Sequence, residues 1–167
     1  MRLQFDRRAS PLGPMLLVFD DEARLRALDF DEYEARMHRL LKRQYGECEI
    51  GAATAPHSIT RALDEYFAGK LAALAEIAVA TGGTEFQRQV WSGLRRIKPG
   101  STTTYGQLAE RVGRRGANRA IGLAVGSNPV GIVVPCHRVI GADGTLTGYA
   151  GGLKRKQWLL DHERSCA

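Results

Sequence analysis

Cys136 and His137 are adjacent in Pro135-Cys136-His137-Arg138-Val139, which sets a thiol beside an imidazole, the residue types of a nucleophile and its general base. A free thiol titrates near ~8.5, so little of it is thiolate at neutral pH. Making most of it thiolate takes a shift of about two units, roughly 2.7 kcal/mol, which one charged partner can supply. The preceding run Ile132-Val133-Val134 reads as a buried strand ending at Pro135, whose missing N–H stops a ladder and leaves Cys136 at a pocket edge. Neighbours on an extended strand point to opposite faces. Contact between Cys136 and His137 therefore needs a bend or a bridging water, and a third group must hold the imidazole.

The competing meaning of Cys136 is a buried apolar cysteine, which is the commoner fate of a free thiol. A metal site is weaker still, since the chain has no C-x-x-C or H-x-x-x-H spacing and Cys48 and Cys166 have no histidine at ligand spacing. Those two cysteines read as structural or incidental, and His38 and His57 as surface residues. Three irregularly spaced cysteines argue against a secreted disulfide framework. No apolar leader and no membrane-length run is present, so a soluble protein of the reducing cytosol is expected. The net charge of +6 suits a polyanion or an acidic membrane surface, and the location of the basic residues must decide between them.

The elements that must position this pair fall into two halves. Residues 1–30 read as a strand meander, with a turn at Ser10-Pro11-Leu12-Gly13-Pro14, the run Met15-Leu16-Leu17-Val18-Phe19, and a second turn at Asp20-Asp21-Glu22. Tyr33, Met37, Leu40 and Leu41 share one helical face, which predicts a helix to about Gly46. Residues 46–57 read as a loop. Ile59, Leu63, Tyr66 and Phe67 define a second helix with Gly69 suited to its end. Residues 71–79 fit no single period, and Thr81-Gly82-Gly83 marks the boundary between domains 1–80 and 81–167.

In the second half, Thr84 with Gln87 and Thr104 with Gln107 each form a capping box ahead of an apolar stripe. Tyr105, Leu108, Ala109 and Val112 form a short helix, Gly113-Arg114-Arg115-Gly116 a tight turn, and Ala117, Ala120, Ile121 and Ala124 the inner face of the next helix. Two short helices around such a turn have the spacing of a helix-turn-helix, although an ordinary corner of two helices is the commoner meaning. Arg111, Arg114, Arg115 and Arg119 crowd the turn and second helix, which favours DNA contact. Asp143-Gly144 between Val139-Ile140 and Thr145-Leu146 signals a hairpin, and Gly148-Tyr149-Ala150-Gly151-Gly152 a loop where backbone could approach a ligand. A last helix is expected from about Leu153 to Glu163, burying Leu153, Leu159 and Leu160, with Lys154, Arg155 and Lys156 on a solvated face in preference to phosphate contact.

The motif at Cys136, preceded by Asn128-Pro129 and followed by Gly148-Tyr149-Ala150-Gly151-Gly152, resembles the active-site signature of the O6-alkylguanine-DNA alkyltransferases. The match is dense from Thr84 to Glu163 and loose before it, and Glu65-Tyr66-Phe67-Ala68-Gly69 is most similar to the stand-alone bacterial type. The resemblance implies an α+β two-domain fold. Its N-terminal α/β domain would be RNase H-like, and its C-terminal domain mainly helical with the DNA-binding helix-turn-helix and the alkyl acceptor.

It also implies direct-reversal repair: Cys136 takes the alkyl group from guanine O6 of a flipped nucleotide and keeps it as a thioether, so the protein is consumed. His137 would take the thiol proton through a water, with Glu163 orienting it; spacing alone could not choose Glu163 over His162. Asn128 would brace the turn beneath the cysteine and Tyr105 would address the flipped base. Substrate contacts fall to the backbone at Val139 and Ala150 and to Tyr149 and Gly131. Ala150 stands where many relatives have Ser, and Gly131 where some have Pro. Arg119 would fill the space left by the flipped base, and Arg114, Arg115, Ala117, Asn118, Ser127 and Arg138 would contact DNA.

The implied partner is double-stranded DNA carrying O6-alkylguanine, bound by a monomer. O4-alkylthymine activity and cooperative binding on DNA stay open. No cofactor, zinc or membrane is implied. A non-catalytic helix-turn-helix protein and a thiol hydrolase are the rival classes. The first has no need of Cys136 with Glu163, and the second lacks an evident oxyanion loop.

Overall fold

The computed structural model describes all 167 residues and separates into two compact units. The first comprises Met1–Gly83 with Pro129–Val133, the second Thr84–Asn128 with Val134–Ala167.

In the first unit the Ser10 hydroxyl donates to Gly13 O and reverses the chain, so β1 (Arg2–Arg8) and β2 (Met15–Phe19) pair antiparallel. Asp20 makes the next turn, its carboxylate accepting from the Glu22 and Arg24 backbone and from the Arg24 and Arg26 guanidiniums. β3 (Leu25–Phe30) then returns antiparallel to β2, completing the expected meander. On α1 (Glu34–Tyr45), Met37 and Leu41 lie one turn apart and pack on Leu3, Leu16, Val18 and Ala27 of the sheet. Each such side chain contributes about 1.5–3 kcal/mol on burial.

Within the expected loop at 46–57 the structure instead contains β4 (Glu49–Ala52), which pairs parallel with β1 and gives the order β3-β2-β1-β4. A parallel neighbour needs a crossover, and α1 carries it. α2 (His57–Phe67) buries Ile59, Leu63 and Tyr66, and the chain leaves it through Gly69 at φ +109°. Residues 71–76 form a 3-10 helix.

The strand expected at Ile132-Val133-Val134 is absent. Leu28 N–H donates to Pro129 O and Gly131 N–H to Leu28 O, both at 3.0 Å, which stitches residues 129–133 to β3. Ile132 is then forced to φ +67° and Val133 N–H turns back to Gly131 O, so no extended run can form.

In the second unit both capping boxes are formed. Thr84 opens α3 (Glu85–Arg95), and Thr104, the end of β5 (Thr103–Thr104), opens α4 (Tyr105–Arg111). α5 (Asn118–Gly126) follows a turn containing Gly113 and Gly116 at positive φ. α3 supports this pair of helices: Trp91 Nε1 donates to Ala124 O at 2.9 Å, and a Cβ on Gly93 would lie 2.7 Å from Val112 Cγ1. A larger residue at Gly93 would force the Val112 side chain to shift.

β6 (Val139–Ile140) pairs parallel with β5, not with Thr145-Leu146. The hairpin reading is thereby corrected. Asp143 accepts from the Thr145 N–H and hydroxyl and closes a local turn without a second strand. α6 (Leu153–Cys166) completes the unit, with Leu153 50% exposed rather than buried as expected. No helix is long and apolar enough to cross a membrane.

Candidate active site

The chain enters Cys136 through Pro135 and turns at once into a single 3-10 turn, Cys136–Arg138, with Cys136 N–H donating to Val134 O at 2.8 Å. The opposed faces expected of a strand are thus replaced by consecutive positions on one turn. Asn128 Nδ2 donates to the same Val134 carbonyl at 2.8 Å, so one amide braces the approach to the cysteine. Cys136 is 7% exposed, His137 0%.

Glu163, about one turn before the end of α6, supplies the third group. Its Oε2 lies 2.7 Å from His137 Nε2, and the carboxylate also accepts from Arg138 Nε at 2.8 Å and Nη2 at 2.9 Å. Arg138 Nη1 donates to Ile97 O at 2.7 Å. Arg138 is therefore a buried partner of Glu163 and not a DNA contact, and that assignment is corrected. A guanidinium forked onto a carboxylate satisfies both charges where water cannot.

The trio fixes the imidazole. With Nε2 donating to the carboxylate, Nδ1 carries the lone pair, and Nδ1 is buried without a hydrogen bond in the protein. Burial pushes the His137 pKa below its ordinary value, outweighing the pull of Glu163, while the Arg138 and Lys156 charges lower it further. Burial alone would raise Glu163, but the hydrogen bonds from His137 and Arg138 prevail and hold it well below the usual carboxylate range. The site therefore holds a neutral base backed by an anion at neutral pH.

Both shifts predict loss of stability with acid. His137 stays neutral in the fold where the unfolded chain is protonated, so its contribution is full above ~6.5 and falls as pH drops toward its folded value. Glu163 adds a second loss that begins below ~4.5. Urea denaturation across pH should show a plateau above neutrality and decline below it, and His137→Gln should flatten the upper part of that decline. A stability that rises between pH 7 and 5 would contradict the buried neutral imidazole.

Tyr105 and Arg119 converge elsewhere in the same unit. The second capping box makes Tyr105 the first residue of α4, and Arg119 lies in the first turn of α5. Both line a cleft of about 410 Å³ with Thr104, Gly106, Asn118, Gly122 and Ala142, a volume within the range of small-ligand sites.

Arg114 and Arg115 are exposed on the turn, Arg114 lying over the Phe86 ring and Arg115 3.8 Å from Glu110. Ala117 is the N-terminal cap position of α5. The Ser127 hydroxyl donates to Ala124 O and accepts from Gln87, which engages it inside the fold. Val139 is buried in β6, and Tyr149 and Ala150 are half-buried in the following loop. Gly131 belongs with the stitched segment, where its N–H to Leu28 O is a bond that a proline could not make.

Three features escaped the sequence reading. Lys156 is 1% exposed and donates from Nζ to Thr147 O at 3.2 Å, so the solvated-face reading fails for it. Burial lowers the Lys156 pKa, against the attraction of Cys136. The signal was present, since Lys156, Leu160 and Glu163 recur on one face of a helix. The Thr147 hydroxyl meets the Tyr105 hydroxyl at 2.9 Å across a separation that no local pattern encodes. Cys166 Sγ lies 3.9 Å from His162 Nδ1 one helical turn away, which corrects the reading that Cys166 has no histidine at ligand spacing. No group of three or more His, Cys, Asp or Glu is placed to hold a metal ion.

Two family models match the chain. Residues 85–165 match the DNA binding domain of 6-O-methylguanine DNA methyltransferase, and residues 8–81 its ribonuclease-like domain. The chain is 53% identical to a methylated-DNA–protein-cysteine methyltransferase of Shigella flexneri, over 98% of this chain and 96% of that one. It is 52% identical to the protein of that name from Salmonella typhimurium, with the same coverage. The fold is similar to that of Mycobacterium tuberculosis OGT in a crystal structure in complex with DNA, with a TM-score of 0.80 and 36% identity over 100% of this chain and 95% of that one.

Proposed function

The chain belongs to the 6-O-methylguanine DNA methyltransferase family, and from that premise we propose that it repairs DNA by taking the alkyl group of O6-alkylguanine onto Cys136. The observation that carries this reading is the buried His137, pinned at Nε2 by Glu163 and open at Nδ1, on the same turn as a buried thiol. A passive DNA binder has no use for a neutral base held in one tautomer at such a cost in burial.

The transfer is a displacement at the alkyl carbon. Cys136 Sγ gives its thiol proton through a water to His137 Nδ1 and forms the S–C bond, while the C–O6 bond breaks and its electron pair stays on O6. Glu163 stabilises the imidazolium formed, as its two hydrogen-bonding partners allow. A proton returned to the ring restores guanine, so atoms and charge balance. The thioether has no good leaving group, and each molecule acts once.

O6 is out of reach in a stacked duplex, and extruding the nucleotide costs a few kcal/mol. Tyr105 and Arg119 on one cleft suit that step, the tyrosine addressing the extruded base and the arginine occupying the gap. Ala150 has no hydroxyl, which leaves only backbone to serve O6 there. Arg114, Arg115 and Asn118 frame the DNA face, and binding should weaken as salt rises. The protein acts as a monomer in the cytoplasm.

The test is intact mass after incubation with a duplex holding one O6-methylguanine: one methyl per chain, stoichiometric, with no further product when substrate is in excess. Multiple turnovers or an unmodified protein would overturn the proposal. Arg119→Ala should lower the rate on duplex by about tenfold to a hundredfold, the few kcal/mol of extrusion being then less well supported, and leave reaction with free O6-methylguanine base unchanged. Equal losses on both substrates would remove Arg119 from that role.

A further inference from the structure

Tyr105 is held in three ways. The Thr104 capping box fixes its backbone, its ring packs about 4.0 Å from where a Cβ on Gly122 would stand, and its hydroxyl meets Thr147 Oγ1 at 2.9 Å. Thr147 lies in the stretch between β6 and α6, whose turns are shaped by local bonds: Gly141 N–H to Thr145 O, Gly144 N–H to Gly141 O and Gly152 N–H to Tyr149 O. Those bonds close the turns on themselves. Thr147 ties the stretch to its surroundings twice, by its side chain to Tyr105 on α4 and by its carbonyl to the Lys156 ammonium on α6. The Lys156 end is rigid because that side chain is fully buried.

A phenol has one proton to give and can accept at the same time. If Thr147 donates, Tyr105 accepts and its own proton is left to point into the cleft that Tyr105 shares with Arg119. Hydrogen bonds in such a chain strengthen one another, so an accepting phenol is a better donor. If Tyr105 donated to Thr147 instead, an incoming base would first have to break that bond. The two directions predict opposite effects of removing the threonine hydroxyl.

We propose that Thr147 is a positioning residue for alkyl transfer, its hydroxyl donating to Tyr105 so that the phenol proton is aimed at the extruded base. The proposal rests on the reading of Tyr105 as the group that addresses that base. Thr147→Val keeps the shape and the carbonyl bond to Lys156 while removing the hydroxyl, and Thr147→Ser restores a hydroxyl on a smaller frame.

The experiment is single-turnover methyl transfer from an O6-methylguanine duplex at rising protein concentration, separating the rate at saturation from the half-saturating concentration. Thr147→Val should lower the saturating rate about fivefold to tenfold, the worth of one hydrogen bond, with the half-saturating concentration unchanged. Thr147→Ser should return it to within about twofold of the parent. In a Tyr105→Phe background Thr147→Val should cost nothing further, because the two residues act through one bond. A faster Thr147→Val, an unchanged one, or losses that add in the double variant would each overturn the proposal. If the parent protein takes no methyl group at all, the reading of the function fails instead.

Discussion

Cys136→Ser is expected to bind an O6-methylguanine duplex as the parent does and to accept no methyl group, with transfer slowed by more than about 10⁴-fold. Serine fits the same space on the 3-10 turn, and its backbone N–H keeps the bond to Val134 O. What changes is the nucleophile: an alcohol is far less acidic than a thiol and far weaker in attack on an alkyl carbon. His137 is tuned by burial to be neutral, which suits it to relay a thiol proton but makes it a poor base for an alcohol. Peptide mapping of the parent should place the methyl on Cys136. The half-buried Cys48 and the exposed Cys166 serve as internal controls. Cys166 is the sterner one, since it too has a histidine near. Methylation at Cys166, or a Cys136→Ser protein that still accepts methyl, would move the reaction away from the site described here.

How much of this was legible in the sequence depends on how local the determining contacts are. The capping boxes at Thr84 and Thr104 were readable because both partners lie within four residues, and they alone set where α3 and α4 begin. The meander was readable from turns and apolar runs for the same reason. β4 was not: four residues, mostly exposed and including Gly51, form a strand because β1 offers a free edge, not because their own pattern demands it. The run Ile132-Val133-Val134 had strand chemistry and failed to form a strand because Leu28, a hundred residues earlier, takes the hydrogen bonds that fix the turn. Propensity lost to tertiary context.

The site divides in the same way. Cys136 and His137 declare themselves by adjacency, whereas the acid behind the histidine was named by resemblance, with Glu163 and His162 equally open to spacing. Arg138 was misassigned since an arginine in a DNA-binding domain suggests phosphate, and only the fold shows a carboxylate 25 residues on turned toward it. Lys156 differs, because its helical spacing from Leu160 and Glu163 already places it on the buried face.

Glu163→Gln tests the device that these buried charges form, and its effect on stability should be the largest of any single change at the site, about 3–5 kcal/mol. The carboxylate accepts three hydrogen bonds, two of them from a guanidinium that is only 4% exposed. An amide offers one acceptor oxygen and turns an NH₂ group toward a histidine N–H or an arginine N–H, so at least one donor faces another. Arg138 then holds a buried charge without a counter-charge. Urea denaturation at neutral pH should show the loss as a lower midpoint with an unchanged slope. In protein that remains folded, methyl transfer should fall on the order of 10³-fold or more, because the imidazole is no longer held in the tautomer with its lone pair at Nδ1. The double variant Arg138→Met with Glu163→Leu separates the two consequences: an apolar pair of similar volume should recover most of the stability, while transfer stays slow because nothing orients His137. Recovery of both would mean that the acid is structural alone, and a Glu163→Gln protein as stable and as fast as the parent would mean that the buried trio does not govern this site at all.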